Sequence, residues 1–351
     1  MGSGYFNTNY RDEIKIFQTR FVRFCLALFA VFLALFPLIA DSYITYLINI
    51  SMIAIIAAMG LNILTGYTGQ ISLGHAAFIA IGAYTSGILT STVGLTFWLA
   101  LPAAGLVTAF FGMLVGIPAL RLKGLYLIMA TMAFSFIVEH VLVRWNSLTN
   151  GLSGMSVPYP SIGKFSIDDD TSYYYLLLIV TILAVAFAKN LFRTRPGRAF
   201  IAIRDQHVAA KVMGINLTKY KVLSFIISSF YAGIAGSLYA HYLTSITPEH
   251  FSLMLSIEYI AMIIVGGMGS ILGAIYGALF ITLLPEILKT VADMIAQNVP
   301  VIERVVALSF FEIKNAAYGL VIILFLIFEP KGIYGKWRDI KVYWTKWPYK
   351  Y

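Results

Sequence analysis

The sequence has few charged residues and almost no cysteine, and both shortages restrict what the chain can be. Asp, Glu, Lys and Arg make up only 12% of the 351 residues, and 60% are hydrophobic. About a quarter of the residues are charged in an ordinary soluble domain. With a mean hydropathy of +0.83, the composition indicates an integral membrane protein. The single cysteine, Cys25, excludes an intramolecular disulfide and a metal cluster built from thiolates.

Three kinds of chemical motif are also missing from the sequence. No G-x-x-x-x-G-K-[ST] phosphate loop occurs, since Gly335-Lys336 is followed by Trp337. The five histidines show no metal-binding spacing such as H-E-x-x-H, and there is no G-x-S-x-G nucleophile turn. We therefore expect a chain that does not hydrolyse ATP, holds no metal and binds no cofactor of its own.

Long apolar runs are what the sequence does contain. A spanning helix needs about 20 mostly apolar residues, because unpaired backbone polar groups are costly in hydrocarbon. No small-residue cleavage site follows the first run, so we read it as a retained helix and not as a cleaved leader. The prediction is an all-α integral membrane protein with about ten transmembrane or re-entrant helices, eight or nine being the alternative. The runs lie near 21–40, 43–64, 71–91, 95–117, 124–143, 173–189, 221–243, 257–268, 271–285 and 315–329, and the last three are short enough to be half-spanning.

The net charge of +9 is explained if the basic residues set the orientation of the chain in the membrane. We therefore expect no nucleic-acid partner. Lys and Arg cluster in segments that all fall on one side of a ten-pass topology, and the positive-inside rule places that side in the cytoplasm. The segment 286–314 falls on the outer side although it has three basic residues, and it fits this topology poorly. The predicted cytoplasmic segments are 1–20, 118–123, 189–221 and 330–351, the transmembrane domain is 21–329, and the outer loops are 144–172 and 244–256.

Residues 193–221 form a polar interruption that we call the basic island. After Pro196-Gly197, apolar residues recur at helical spacing from Ala199 to Met213, which predicts a short amphipathic helix on the cytoplasmic face. Gly214 is placed to end this helix, and Asn216 can start the next one. Such a helix suits a groove on a partner protein. The alternative is a plain loop whose arginines hold anionic lipid headgroups.

Two glycine-rich segments, 65–75 and 266–270, predict breaks between helices. Backbone groups exposed at such breaks often contact the substrate or form a gate in transporters. For the first segment, the alternative is a cytoplasmic turn whose small residues allow close packing. The candidate pathway residues are Thr65, Gly66, Gly69, Gln70, Ser72, Gly74, His75, Gly266, Gly267 and Gly269.

Ionisable residues inside spans are expensive, and each is therefore a candidate for function. Glu258 opens the eighth apolar run, where it either makes a polar contact inside the bundle or lines the transport pathway. For His75, the alternative to a pathway role is a hydrogen-bonded histidine at the membrane interface. Glu139 and His140 lie near Arg144 and are better explained as an interfacial ion cluster.

Several stretches together resemble one known family. They are LTGYTGQISLGHAAFIAIGAYTSGIL (64–89), RLKGLYLIMATMAF (121–134), the basic island, SIEYIAMIIVGGMGSILGAIYGALFITLLPEIL (256–288) and FEPKGIYG (328–335). In this order they resemble the permeases of branched-chain amino-acid ABC transporters, specifically the LivM-type subunit.

The resemblance implies an ABC importer permease bundle in the inner (plasma) membrane. The partners it implies are a second permease of the LivH type, two ATPase subunits that use ATP and Mg, an extracytoplasmic solute-binding protein and the membrane lipid. It also implies that the basic island couples to the ATPases. Where an acidic residue often opens the coupling motif, this chain has Val208. The coupling residues expected are Arg198, Arg204, Ala209, Ala210, Gly214 and Ile215.

Three functions follow as alternatives. The first is a permease subunit importing branched-chain or other small amino acids, or else urea or an amide. The second is an ion-coupled secondary transporter. Such a transporter would need acidic residues in the middle of its spans, and apart from Glu258 the sequence lacks them. The third is a membrane-embedded enzyme, for which no cluster of catalytic side chains is seen.

Overall fold

The computed structural model describes residues 20–122, 124–162, 165–296, 316–325, 327–329 and 331–346. Helices dominate this part of the chain, as the apolar runs predict. They are α1 Arg20–Ile39, α2 Ser42–Leu61, α3 His75–Ser91, α4 Phe97–Ala119, α5 Leu125–Arg144, α6 Asn146–Thr149, α7 Asp170–Leu191, α8 Arg195–Asp205, α9 His207–Val212, α10 Leu217–Leu243, α11 Leu253–Gly266, α12 Ile271–Ala296, α13 Ala316–Phe325 and α14 Gly332–Lys346.

The centre of the bundle is α2, which is buried along most of its length. Helix α10 packs beside it and against α3 and α4, at positions where glycine lets two backbones approach closely. A side chain at Gly82 would meet the backbone of Gly233, and one at Gly236 would meet the carbonyl of Ile79. Small residues of this kind are what helix packing in a membrane favours, because hydrocarbon offers no hydrophobic drive for helix association.

Four two-residue strands lie outside the bundle. They are β1 Met155–Ser156, β2 Ser161–Ile162, β3 Phe165–Ser166 and β4 Ser245–Ile246, with β1 antiparallel to β4 and β2 antiparallel to β3. The loop 144–172 therefore has more structure than turns alone, since it also contains α6 and a 3-10 turn at Gly151–Ser153. Its pairing with β4 joins it to the loop 244–256, so the two loops predicted to share a side do lie together.

The two ends of α10 separate these loops from the basic segments. Strand β4 begins two residues after the end of α10, whereas the basic island contains the start of α10 and the residues before it. Leu122, in the 118–123 turn, packs beside Leu64 and Phe225 near the island's end. The start of the tail is also at that end, where a side chain on Gly332 would meet the backbone of Gly267.

The prediction of an all-α membrane bundle is confirmed. Seven helices are long and apolar enough to cross a membrane, and two shorter apolar helices are found at Ala27–Ile39 and Ala316–Phe325. The seven are Ser42–Tyr67, Phe97–Ala119, Leu125–Arg144, Asp170–Leu191, Leu217–Leu243, Pro248–Gly266 and Ile271–Thr290.

Some predicted boundaries differ from the structure. The ninth run does not stop at Pro285, because α12 continues through that proline to Ala296, and the eighth and ninth runs form helices of spanning length. Residues 286–296 of the poorly fitting segment 286–314 are therefore helical. The third helix begins at His75 and not at 71. Residues 1–19, 297–315 and 347–351 lie outside the described residues.

Candidate functional site: a junction of two helix breaks

The first predicted break is a real interruption of α2. After Leu61 the helix widens into one turn of π-helix, Asn62–Tyr67, and α3 begins only at His75. Wide turns of this kind are rare and often occur at functional sites. Gly69 has φ 69°, a left-handed conformation that glycine adopts without a steric penalty.

Protein groups satisfy the polar atoms of this break. Thr65 Oγ1 donates to the carbonyl of Gln70 at 3.1 Å, and Gln70 Nε2 donates to Ser224 Oγ on α10 at 2.8 Å. Thr68 Oγ1 donates to the carbonyl of Leu64. Non-helical backbone at membrane depth is tolerated where protein buries it in this way. Most of the break is thus buried in the bundle, while Gly69 and Ile71 are exposed.

The non-helical stretch 68–74 then contacts α5. The backbone N–H of Leu73 donates to Thr131 Oγ1 at 3.0 Å, and Ser135 Oγ donates to the carbonyl of Leu73 at 3.3 Å. Ser72 Oγ accepts the N–H of Gly74 at 3.2 Å. Gly74 lies so close to Thr131 that a Cβ would be 2.9 Å from its carbonyl oxygen.

His75 starts α3 and is 1% exposed, so its ring is buried in the bundle. Its Nε2 is 2.9 Å from the carbonyl of Ala57 on α2. Because a carbonyl can only accept, Nε2 carries the proton. The next residue is held too, since the N–H of Ala76 donates to Ser256 Oγ on α11 at 2.9 Å. His75 thus marks the contact of three helices.

The second predicted break separates α11 from α12. Gly267 has φ 115° and Gly269 has φ 76°, values that other residues rarely adopt. A side chain at Gly266 would meet the backbone of Gly273 in the following helix. These glycines let α12 fold back closely on α11.

Asn62 joins the two breaks. Its Nδ2 donates to the carbonyl of Ser270 at 2.8 Å, and its Oδ1 accepts the N–H of Gly269 at 2.9 Å. The side chain is 2% exposed. The buried amide of Asn62, which belongs to the first break, therefore satisfies two backbone groups of the second break. We call Asn62–Tyr67 together with 266–270 the junction.

The basic island contacts the junction through Arg204. Its Nη1 donates to the carbonyl of Gly66 at 3.0 Å, while its Nε pairs with Asp205 at 3.1 Å. Arg204 also lies beside Gly269, where a Cβ would meet its Nη1. The ring of Tyr67 stacks on Phe192, just before the island. Two breaks distant in the sequence and the island thus meet at one place.

The island consists of two helices and not the single predicted one. Helix α8 begins at Arg195, so Pro196-Gly197 lies within its first turn, where proline is tolerated, and does not break a helix. Gln206, in extended conformation, separates α8 from α9. Gly214 follows α9 with φ 82°, and Asn216 Oδ1 accepts the N–H of Lys219 at 3.0 Å as the N-cap of α10.

The expected coupling residues lie on the island, and Arg204 hydrogen-bonds to the junction. Arg198, Ala209 and Gly214 are exposed, Ile215 is half-buried, and Ala210 is buried. Glu258 does not lie at the junction, since it lines a separate cavity with Ile50 and Tyr239. Among the described residues, no group of three His, Cys, Asp or Glu side chains is placed to hold a metal ion.

Sequence reasoning missed the polar residues that hold the junction together. They are Asn62, Ser224, Ser256 and Thr131. For Asn62 a signal existed, because an asparagine within an apolar run needs a partner in the membrane. The identity of that partner is not visible in the local sequence.

Known proteins are similar to this chain over most of its sequence. Residues 43–328 match the family described as branched-chain amino acid transport system / permease component. The high-affinity branched-chain amino acid transport system permease protein LivM of Salmonella typhimurium is 31% identical over 309 residues, which cover 81% of this chain and 68% of that protein. The protein LivM of Escherichia coli is 30% identical over the same shares of both chains.

A second group of relatives is more distant. The high-affinity branched-chain amino acid transport system permease protein LivH of Escherichia coli is 26% identical over 300 residues, which cover 80% of this chain and 90% of that protein. No solved structure shows a significant match to the chain. The resemblance to LivM-type permeases is therefore confirmed. The chain belongs to the family of permease components of branched-chain amino acid transport systems, as a multi-pass membrane subunit of an ABC importer.

Proposed function

We propose that this chain imports branched-chain amino acids as one of two different permease subunits of an ATP-driven complex. Its partners in this proposal are a LivH-type permease, two ATPase subunits docked on the basic island and an extracytoplasmic solute-binding protein. The relatives LivM and LivH are both permease proteins of branched-chain amino acid transport systems, which supports the substrate class and the pairing of two permeases.

One observation carries the coupling part of the proposal. The island presents an exposed apolar surface made of Val208, Val212 and Met213, which are 60%, 81% and 82% exposed. The same island reaches the buried junction through Arg204. Exposed apolar side chains on a short helix are typical of a surface that a partner covers. A partner on this surface would act on an element already connected to both helix breaks.

The island connects to the bundle by two routes. Helix α10 begins at Leu217, two residues after Ile215, and ends close to β4 at the opposite end. Arg204 connects α8 to the carbonyl of Gly66. When the ATPases close, a displacement of α8 and α9 would tilt α10 and shift the junction. The pathway then opens to one side at a time, with the backbone around 65–75 and 266–270 as the moving part.

ATP chemistry takes place on the partners in this proposal. The chain has no phosphate loop, and we assign ATP and Mg to the ATPase subunits. This chain supplies the path, the docking surface and no cofactor of its own.

The proposed location is the inner (plasma) membrane, with both termini and the island in the cytoplasm. The separation of the basic segments from the loops 144–172 and 244–256 at opposite ends of α10 supports this orientation. The paired outer loops then form the surface that receives the solute-binding protein.

Co-purification tests the docking surface directly. We expect the double substitution Val212→Asp and Met213→Asp to abolish co-purification of the ATPase subunits, while the chain still reaches the membrane. Leu152→Asp is the matched control, because Leu152 is 67% exposed but lies in the outer loop. ATPases that remain bound to the double variant as firmly as to the control would contradict the proposal.

A further inference from the structure

A cavity of about 420 Å³ lies between α2, α10, α11, α12 and α13, away from the junction. Exposed Glu249 and His250 form its rim, in the loop that follows β4. Buried Tyr259, Met262 and Tyr318 line its interior. The cavity therefore lies in the half of the bundle that ends at the outer loops. Its volume is within the range of about 300–1,000 Å³ that small-molecule sites occupy.

The polar lining has one sign of charge. Two carboxylates, Glu249 at the rim and Glu258 further inside, line the same space, and no Lys or Arg is among its described lining residues. Three tyrosines also line the cavity, namely Tyr239, Tyr259 and Tyr318. An acidic lining without Lys or Arg attracts cations through its electrostatic potential. This lining favours a ligand that brings a positive charge.

A hydroxyl in the wall has an unused hydrogen-bonding capacity. Thr282 Oγ1 is buried and has no hydrogen-bond partner among the described residues. Thr282 lines the cavity from α12. A buried hydroxyl without a partner is uncommon, because losing water without compensation costs about 1–3 kcal/mol. A polar group of a ligand would satisfy it.

The rest of the wall is aliphatic. Ile50, Ile53 and Ala54 line the cavity from α2, and Leu255 and Met262 line it from α11. Carboxylates and hydroxyls beside an aliphatic wall match a molecule that has an ammonium group and a branched hydrocarbon chain.

We propose that this cavity is a binding site for a small aliphatic ammonium compound, with the ammonium near Glu258 and the hydrocarbon chain against Ile53 and Met262. Its occupant during transport is the branched-chain amino acid, and this identification rests on the proposed function. Helix α11 carries Glu258 at this site and Gly266 at the junction, so the site and the helix breaks share one rigid element.

Direct binding to the purified complex, without the solute-binding protein, tests the site. The probes are radiolabelled leucine, isoamylamine, which lacks the carboxylate of leucine, and 4-methylpentanoate, which lacks the ammonium group. We expect isoamylamine to compete with leucine and 4-methylpentanoate not to compete. Glu258→Gln should weaken leucine binding by at least about tenfold, because a charged partner is replaced by a neutral one. Glu139→Gln is the control, since Glu139 is also half-buried but lies on α5, outside the cavity.

Unchanged leucine affinity in Glu258→Gln, or competition by 4-methylpentanoate equal to that by isoamylamine, overturns the proposal. A second measurement keeps Glu258 intact and so does not depend on that variant folding. The single cysteine is replaced by Cys25→Ser, and Ser252→Cys then places a thiol beside the rim. We expect leucine and isoamylamine to slow the labelling of this thiol by a charged methanethiosulfonate several-fold. Equal labelling rates with and without both compounds also overturn the proposal.

The failure of this inference is distinguishable from failure of the proposed function. If leucine uptake depends on the chain but is unaffected by Glu258→Gln, the proposed function stands and the binding site is rejected. If isoamylamine slows thiol labelling but the chain does not support leucine uptake, the binding site stands and leucine is rejected as the transported substrate. Urea is uncharged, so if urea is carried, its uptake should not respond to Glu258→Gln.

Discussion

Asn62 and Gly269 are 207 residues apart in the sequence, yet Asn62 Oδ1 accepts the backbone N–H of Gly269 at 2.9 Å. The same amide group donates to the carbonyl of Ser270 through Nδ2 at 2.8 Å. One side chain thus holds the end of α2 against the turn between α11 and α12. Arg204 contacts the carbonyl of Gly66 in the same π-helical turn as Asn62. Movement of the island would therefore act on both helix breaks, because the contact of Asn62 with Gly269 holds them together.

Removal of the amide of Asn62 should loosen the junction. Asn62→Ala leaves the N–H of Gly269 and the carbonyl of Ser270 without their partner inside the protein. We expect a loss of at least about 2 kcal/mol in the free energy of unfolding, together with a fall in uptake. Thermal unfolding of the purified complex measures the first effect. Asn190→Ala, at an exposed position, should leave the melting temperature unchanged; equal melting of both variants would show that the bridge is not stabilising.

Substitution of Arg204 should separate coupling from stability. Its side chain is 37% exposed, so we expect Arg204→Ala to change the free energy of unfolding by less than about 1 kcal/mol. Uptake should fall several-fold while ATP hydrolysis by the complex continues, because the island no longer contacts Gly66. The ratio of solute imported to ATP hydrolysed is the measurement. Arg193→Ala, at an exposed arginine just before α8, is the control, and an unchanged ratio in both variants would contradict the coupling role.

Two glycines with nearly the same backbone conformation allow a matched test of close packing. Gly269 has φ 76° and Gly94 has φ 75°, so an alanine at either position costs about 1 kcal/mol in backbone strain. Only at Gly269 would the new Cβ meet other atoms, namely Arg204 Nη1 and the carbonyl of Gly66. We expect Gly269→Ala to lower the melting temperature more than Gly94→Ala and to reduce uptake. Similar melting temperatures would mean that the junction has room to adjust.

Gly214 tests the docking surface with little disturbance of the bundle. Its φ of 82° strains any other residue, but a Cβ there would have no atom within 4 Å. We expect Gly214→Trp to leave the chain in the membrane and to reduce ATP-coupled uptake, because the indole stands where an ATPase would dock. Gly94→Trp has the same strain and equally open surroundings at the outer end of α3. Normal uptake in Gly214→Trp would reject the coupling assignment.

A chain of hydrogen bonds holds the outer loop to α10. His241 Nδ1 is 2.7 Å from the carbonyl of Pro158 and Nε2 is 2.9 Å from Ser86 Oγ, to which Ser237 Oγ donates at 2.7 Å. All three side chains are fully buried. We expect His241→Ala to cost about 3 kcal/mol, since it leaves a void and removes the partner of two oxygen atoms.

Limited proteolysis of the loop 144–172 and thermal unfolding measure this effect. The loop should be cut faster in His241→Ala than in His140→Ala, a substitution at an exposed histidine of α5. Equal cleavage rates would show that β1 and β4 hold the loop without the histidine.

The amino-acid sequence by itself determined the all-α membrane class, the positions of most helices and the family. These features depend on local runs of apolar residues and on sequence motifs. Both can be recognised without knowing which segments are in contact in the folded protein. The cap at Gly214 and the start of α10 at Asn216 were predictable for the same reason, because a helix end depends on only a few neighbouring residues.

Only the tertiary structure decided which buried polar groups meet. Asn62 needs partners in an apolar environment, but its partners lie on a turn far along the chain, and hydropathy has no information about them. The break of the island at Gln206 and the continuation of α12 beyond Pro285 also depend on packing. Glu258 was recognisable as costly, but the residues that surround it were not, since the cavity lining comes from several helices that are far apart in the sequence.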